Sequence, residues 1–238
     1  MKTFRLIGAG LLAMLFCFTI SSCSKDDEED DENRNDDNPT LITAVDLGLP
    51  SGTLWADRNV GAASPEEYGK HFAWGETVPN GNFNGYVYKW HNWDSGDSYV
   101  TKYCNDGNFG YADGKSILEP SDDAATFNLG YKWCMPTTAQ IDELMEETTM
   151  AWTAINGFKG VRLTGPNGKS IFLPAAGKFS WAEHKYPDTV GYYWSCRLSG
   201  YNHPYCAWYF IIHSGGMSYA NDGVRSEGFV VRAVVREE

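Results

Sequence analysis

Beyond position 41 the chain is built from short runs of β-type composition separated by turn residues. Residues 44–49 and 53–60 flank Pro50-Ser51-Gly52, which predicts a hairpin. Residues 161–164 and 170–173 flank Gly165-Pro166-Asn167-Gly168, and 207–213 and 217–221 flank Ser214-Gly215-Gly216, predicting two more. The apolar run over 228–235 predicts a closing strand. Three helix starts interrupt the pattern. Ser64-Pro65-Glu66-Glu67 has the form of a capping box with Pro at the first helical position. Ser121-Asp122-Asp123-Ala124-Ala125 sets a cap and two acids at the positive end of a helix dipole. Thr137 caps a helix over 141–150, with Ile141, Leu144 and Met145 on one apolar face. Together these elements predict an α+β chain with two or three short helices and irregular antiparallel sheets.

The front of the chain follows a different pattern. Lys2 and Arg5 precede an apolar run over 6–20. As a helix this run rises about 22 Å, short of the roughly 30 Å hydrocarbon core, so it reads as a signal peptide over 1–22. Its end, Ile20-Ser21-Ser22-Cys23, resembles the lipobox of bacterial lipoproteins. That resemblance implies cleavage before Cys23 and anchoring of its thiol and amine by acyl chains such as palmitate; the alternative is ordinary cleavage near an incidental Cys. Residues 23–40 follow as an acidic tether, with nine acids against Lys25 and Arg34 over 23–37. A Lys followed by acids after the lipidated Cys resembles the surface-export tag of Bacteroides-type lipoproteins. The expected location is the outer membrane, facing outward.

Composition narrows the classes further. The 238 residues are 42% apolar and 15% aromatic, enough for one domain over 41–238 and too aromatic for a disordered chain. Net charge is −12, so the basic stripe needed to displace counterions from nucleic acid is missing, and no nucleic-acid partner is expected.

A series of ordered motifs resembles a known family. Asp46-Leu47-Gly48-Leu49, Leu54-Trp55-Ala56, Asn59-Val60-Gly61-Ala62 and Phe72-Ala73-Trp74-Gly75-Glu76 resemble the opening of FISUMP-type domains, the major paralogous domains of Bacteroides-type lipoproteins. Asp123-Ala124-Ala125, Met135-Pro136-Thr137, Phe172-Leu173-Pro174-Ala175-Ala176-Gly177, Gly191-Tyr192-Tyr193-Trp194-Ser195 and Val231-Arg232 continue it over residues 45–235. The resemblance implies a fold similar to formylglycine-generating sulfatase-modifying factors and, more distantly, to C-type lectins, with the chain ends close together. Cys134 stands where such families usually carry Arg.

Four cysteines remain beyond the anchor: Cys104, Cys134, Cys196 and Cys206. Outside the cytoplasm four thiols favour disulfides, in one of three connectivities. Cys196 and Cys206 bracket a short loop and are paired on that ground, which leaves Cys104 with Cys134. No CxxC spacing supports a metal site, and no cofactor is expected. The enzyme alternative is copper-dependent oxidation of the formylglycine-generating type, which uses a cysteine pair near the C-terminus; here the ten-residue spacing of Cys196 and Cys206 is wider than that pair. Neither HExxH nor GxSxG occurs among the motifs, and no catalytic constellation stands out. Asp122 and Asp123 read as helix-terminal acids rather than a metal pair.

Binding is the remaining reading. Arg197, Tyr201, Asn202, His203 and Tyr205 crowd one late loop, and Tyr219, Asn221, Asp222 and Arg225 crowd the next. Rigid Tyr rings among adaptable amides are the chemistry of a paratope, suited to an extracellular glycan or protein. Trp208, Phe210 and Ile212 between them read as a buried strand face. In a second stretch Tyr86, Tyr88 and Trp90 read as one strand face packed on the core, with sugar stacking as the alternative. Two further expectations stay open: a structural subunit of an envelope or fimbrial assembly, and a surface varied by a diversity-generating retroelement.

Overall fold

The computed structural model describes residues 41–94, 97–200 and 204–236. The expected signal peptide, Cys23 and the tether lie outside them. The chain opens with β1 (Ala44–Asp46), β2 (Leu54–Asn59), β3 (His71–Phe72), β4 (His91–Asp94) and β5 (Asp97–Val100). A 3₁₀ turn at Pro120–Asp122 leads into α1 (Ala124–Leu129), β6 (Trp133–Cys134) and α2 (Thr138–Glu147). Three strands follow, β7 (Thr149–Ile155), β8 (Phe158–Thr164) and β9 (Ser170–Pro174), then β10 (Lys178–Ser180) and β11 (Glu183–Lys185). The chain closes with β12 (Val190–Leu198), β13 (Cys206–His213), β14 (Gly216–Val224), β15 (Phe229–Val230) and β16 (Arg232–Val235).

The fold is α+β, rich in strand, with two helices among the described residues and irregular antiparallel sheets. A four-stranded sheet has the order β1-β2-β16-β6 and a five-stranded sheet the order β14-β13-β12-β15-β3. β7-β8-β9 form a third sheet, and β4-β5 and β10-β11 form ribbons. Strand pairs are antiparallel except β12 with β15, joined at Tyr193 and Val230. The three hairpins expected from turn chemistry form as β1–β2, β8–β9 and β13–β14. The strand expected over 228–235 is split: β15 serves the five-stranded sheet and β16 the four-stranded one. The break falls at Val231, whose carbonyl accepts the Val60 N–H at 2.9 Å.

Two of the three helix starts form helices. Thr137 caps α2 through a reciprocal pair with Gln140. Asp123, rather than Ser121, caps α1, and its Oδ1 accepts the Thr126 N–H at 2.9 Å. Ser64-Pro65-Glu66-Glu67 makes a turn instead. Glu67 Oε2 accepts the Ala63 N–H at 2.9 Å, and Gly69 then leaves at φ +74° so close to Val60 that a Cβ would stand 2.7 Å from its carbonyl oxygen.

β12 divides the core. Successive side chains on a strand point to opposite faces. Tyr193 therefore packs with Phe210, Val230, Leu144 and Trp55, while Trp194 packs with Phe229, Trp74 and Leu198. The Trp194 and Phe229 rings stack with centroids 4.0 Å apart. Arg232 is wholly buried between the sheets, donating to Asn59 Oδ1 and to the Ala56 and Phe172 carbonyls at 2.8–3.0 Å.

His71 in β3 packs against Phe179 and His184, its Nε2 bonding the Ala176 carbonyl at 3.1 Å. Burial, reinforced by His184, lowers its pKa to about 4. The unfolded chain takes up this proton near pH 6.5, whereas the folded chain refuses it until about pH 4. Stability falls as pH drops through that window, by on the order of 3 kcal/mol from this group. Urea melts across pH 4–7 are expected to show this loss in the wild type and a flatter profile in His71→Phe.

Candidate binding surface

The β13–β14 hairpin presents the late residues singled out in the sequence. The extra residue of the register shift between Ala207 and Tyr209 falls on β14, so β13 keeps its alternation and Trp208 shares a face with Phe210 and Ile212. Phe210 and Ile212 are fully buried but Trp208, near the start of the strand, is not, which corrects the expectation that all three are buried. Trp208 instead lies half-buried beside Tyr219, ring centroids 5.5 Å apart, and Tyr219 is 51% exposed. Asp222 is exposed and its Oδ1 accepts the Tyr209 hydroxyl at 3.0 Å; Asn221 beside it is half-buried. Arg197 is exposed near the end of β12. Tyr205 is half-buried between the His91 and Phe109 rings, at 5.3 and 5.7 Å. Tyr201, Asn202 and His203 lie outside the described residues.

Arg225 does not belong to this surface. It is 1% exposed, so the expectation that it meets a ligand is corrected. Nε donates to the Tyr88 hydroxyl at 2.8 Å, Nη1 to the Tyr103 and Pro204 carbonyls at 3.1 and 2.6 Å, and Nη2 to the Lys102 carbonyl at 3.0 Å. The guanidinium also sits 4.9 Å from the Trp74 ring centroid. Its main chain continues the tie: Arg225 N–H donates to Tyr205, and Arg225 C=O accepts from Trp74. The loops carrying residues 88, 102–103 and 204–205 are thus fastened to one residue.

The expected disulfides are not formed by Cys104, Cys134, Cys196 or Cys206. Register explains the first pair. The strands slip between Trp194 and Leu198, so Cys206 lies opposite Ser199, three residues beyond Cys196. Three strand residues span about 10 Å, and a disulfide bridges Cα atoms no more than about 7 Å apart. Cys196 instead turns toward the segment after β6, its N–H donating to Pro136 O at 2.9 Å. Burial, with Asp123 and Cys134 nearby, pushes its thiol up to about 12. Burial likewise raises Cys206. Cys104 lies in the loop after β5, with Sγ donating to Asp106 O at 3.1 Å, whereas Cys134 pairs with Val234 in β6.

Two neighbouring expectations are also revised or refined. Residues 86–90 form turns rather than a strand, so Tyr88 is buried while Tyr86 is exposed. Asp122 takes Lys102 at 2.5 Å, Lys89 at 3.2 Å and the Tyr103 hydroxyl at 2.7 Å; burial opposes its charge, yet these partners hold its pKa below the usual range. Asp123 caps α1 and accepts Met135 N–H at 2.8 Å, and burial raises it. No group of three or more His, Cys, Asp or Glu side chains able to hold a metal ion is found among the described residues.

No family model, curated protein or solved structure matches this chain.

The two kinds of late residue predict opposite outcomes. Arg225→Ala leaves three carbonyls and a hydroxyl without their donor, and is expected to lower unfolding free energy by roughly 3–5 kcal/mol. Arg225→Lys should not restore it, because one ammonium cannot span the same acceptors. Tyr219→Ala should change stability by about 0.5 kcal/mol or less. Urea denaturation of the three variants checks both statements.

Proposed function

We propose that this chain is a lipid-anchored, surface-displayed binding module of the outer membrane, holding an extracellular glycan or protein ligand on the face of its late loops. The observation that carries this reading is the Trp208–Tyr219 pair, an exposed Tyr219 with half-buried Trp208 beside it, on a hairpin whose far end is fixed by a buried guanidinium. Rigid rings on a rigid frame lose little entropy on contact. Arg197, Asn221 and Asp222 supply polar groups in the same late segments. The finer fold reading, a FISUMP-type domain similar to C-type lectins and sulfatase-modifying factors, is supported by the two short helices. Placement of β1 and β16 in one sheet also supports it, since the ends of the described chain then lie near each other.

A copper oxidase of the formylglycine-generating type needs a cysteine pair able to act together as thiolates. The strand slip between Cys196 and Cys206 and the raised Cys196 thiol favour the binding reading over that one.

Two measurements test the proposal. Cell fractionation with protease shaving should find the wild-type chain on the outer face of the membrane and Cys23→Ala released from it. A glycan array and a cross-linking pull-down with the full chain should detect a ligand whose signal falls at least tenfold in Tyr219→Ala. A signal indifferent to Tyr219, stoichiometric recovery within an envelope assembly, or formylglycine formation on a Cys-containing peptide would overturn it.

A further inference from the structure

Three large aromatic side chains stand out of the surface beside the late loops. Tyr86 is 67% exposed, Trp93 46% and Trp181 58%. They come from the turn after Phe83, from β4 and from the tip of the β10–β11 ribbon, so only the tertiary structure assembles them. Tyr86 and Trp93 stack at 4.8 Å between centroids with 26° between planes, and Trp181 lies 6.0 Å from Tyr86 at 54°.

These rings are held out rather than left loose. Trp93 Nε1 and His91 Nδ1 both bond the Gly85 carbonyl, at 2.9 and 3.1 Å, and fix the turn that carries Tyr86. Asn84 Oδ1 accepts the Tyr86 N–H at 2.8 Å. Phe83 and Trp181 exchange both main-chain hydrogen bonds, at 3.1 and 2.8 Å. The Phe83 ring presses so closely on Gly228 that a Cβ there would stand 2.7 Å from it. Trp181 itself sits at φ +56°, a backbone region that bulky residues rarely occupy. A backbone conformation rare for bulky residues, holding an indole more than half exposed, points to a use outside the fold.

We propose that Tyr86, Trp93 and Trp181 form a second binding platform, separate from the late-loop face, for the pyranose rings of a neutral glycan. Area argues for a small ligand. Three half-exposed rings offer on the order of 300 Å², against roughly 800 Å² per partner in a stable protein contact. Charge argues for a neutral one. The described cations near the rings in sequence are each paired with a carboxylate, Lys89 with Asp122, Lys178 with Glu227 and Lys185 with Glu183, at 2.9–3.2 Å, and Asp94 directly follows Trp93, so the surroundings favour a neutral sugar over an anionic one. Ring chemistry argues for a sugar. The electron-rich face of an aromatic ring attracts the polarised C–H face of a pyranose, and the exposed Asn82 amide and the Tyr86 hydroxyl suit its hydroxyl rim.

The test uses the full chain with cellohexaose, mannohexaose and galactohexaose as probes, read by quenching of tryptophan fluorescence and by retardation in gels containing the matching soluble polysaccharide. At least one probe should bind the wild type. Trp181→Gly removes the ring and relieves the positive φ, so it should melt no lower than wild type while weakening binding at least fivefold. Trp93→Ala should weaken it similarly, and the double variant should abolish it. Tyr219→Ala should leave it unchanged, which separates this platform from the late-loop site. Absence of binding by all three hexaoses, or retention of full binding by Trp181→Gly, would overturn the proposal. So would loss in that variant of a protein partner or of neutral phosphatidylcholine vesicles in place of a sugar.

Discussion

The guanidinium of Arg225 is buried and donates four hydrogen bonds, to three main-chain carbonyls and one phenol. A cation removed from water is tolerated only where dipoles replace the solvent. Here peptide carbonyls and the faces of Trp74, Tyr88 and Tyr103 do so. The consequence is long-range order among segments with little regular structure of their own. The 86–90 turn, the chain leaving β5 and the loop entering β13 converge on one planar group whose geometry is fixed. Both aromatic surfaces depend on that convergence: Tyr205 is held by Arg225 N–H and packs on His91, which packs on Trp93.

Arg232 plays the corresponding part among the strands. It joins β2 and β9 through the carbonyls of Ala56 and Phe172, and burial lowers its pKa to about 10. Between these two cations runs β12, whose alternating side chains give one apolar cluster to each face. Two buried arginines that donate chiefly to main-chain oxygens thus tie the chain together, Arg232 between two sheets and Arg225 among three loops. Five donors in a planar fork suit Arg to this work, as Lys is not suited.

The exposed aromatics follow from the same economy. Four of the nine tryptophans are buried, Trp55, Trp74, Trp133 and Trp194, and only Trp93 and Trp181 are exposed. Those left outside are tied by their own indole nitrogen, as in Trp93, or by paired main-chain bonds, as in Trp181. Surface rings restrained in this way present contact area already fixed in place, and that property supports a binding role at two separate places on the molecule.

Local chemistry was enough to specify the three hairpins, the Thr137 capping box of α2 and the α+β class, because each depends on residues a few positions apart. The Ser64 motif shows the limit: its Glu67 carboxylate reaches past the Ser64 N–H that a capping box would engage to that of Ala63, and Gly69 and the packing against Val60 carry the chain out of a helix. Tertiary contacts decided the rest. A charged residue at 225 among Tyr, Asn and Asp reads as surface until three distant carbonyls are seen to enclose it. Cys196 and Cys206 look like partners until strand slippage sets them apart. Trp181, between Ser180 and Ala182, has no periodic neighbour to mark it, and only the pairing with Phe83 brings it to Tyr86. Periodicity and capping act over a few residues, whereas register, burial of charge and assembly of a surface are settled by segments that meet across the whole fold.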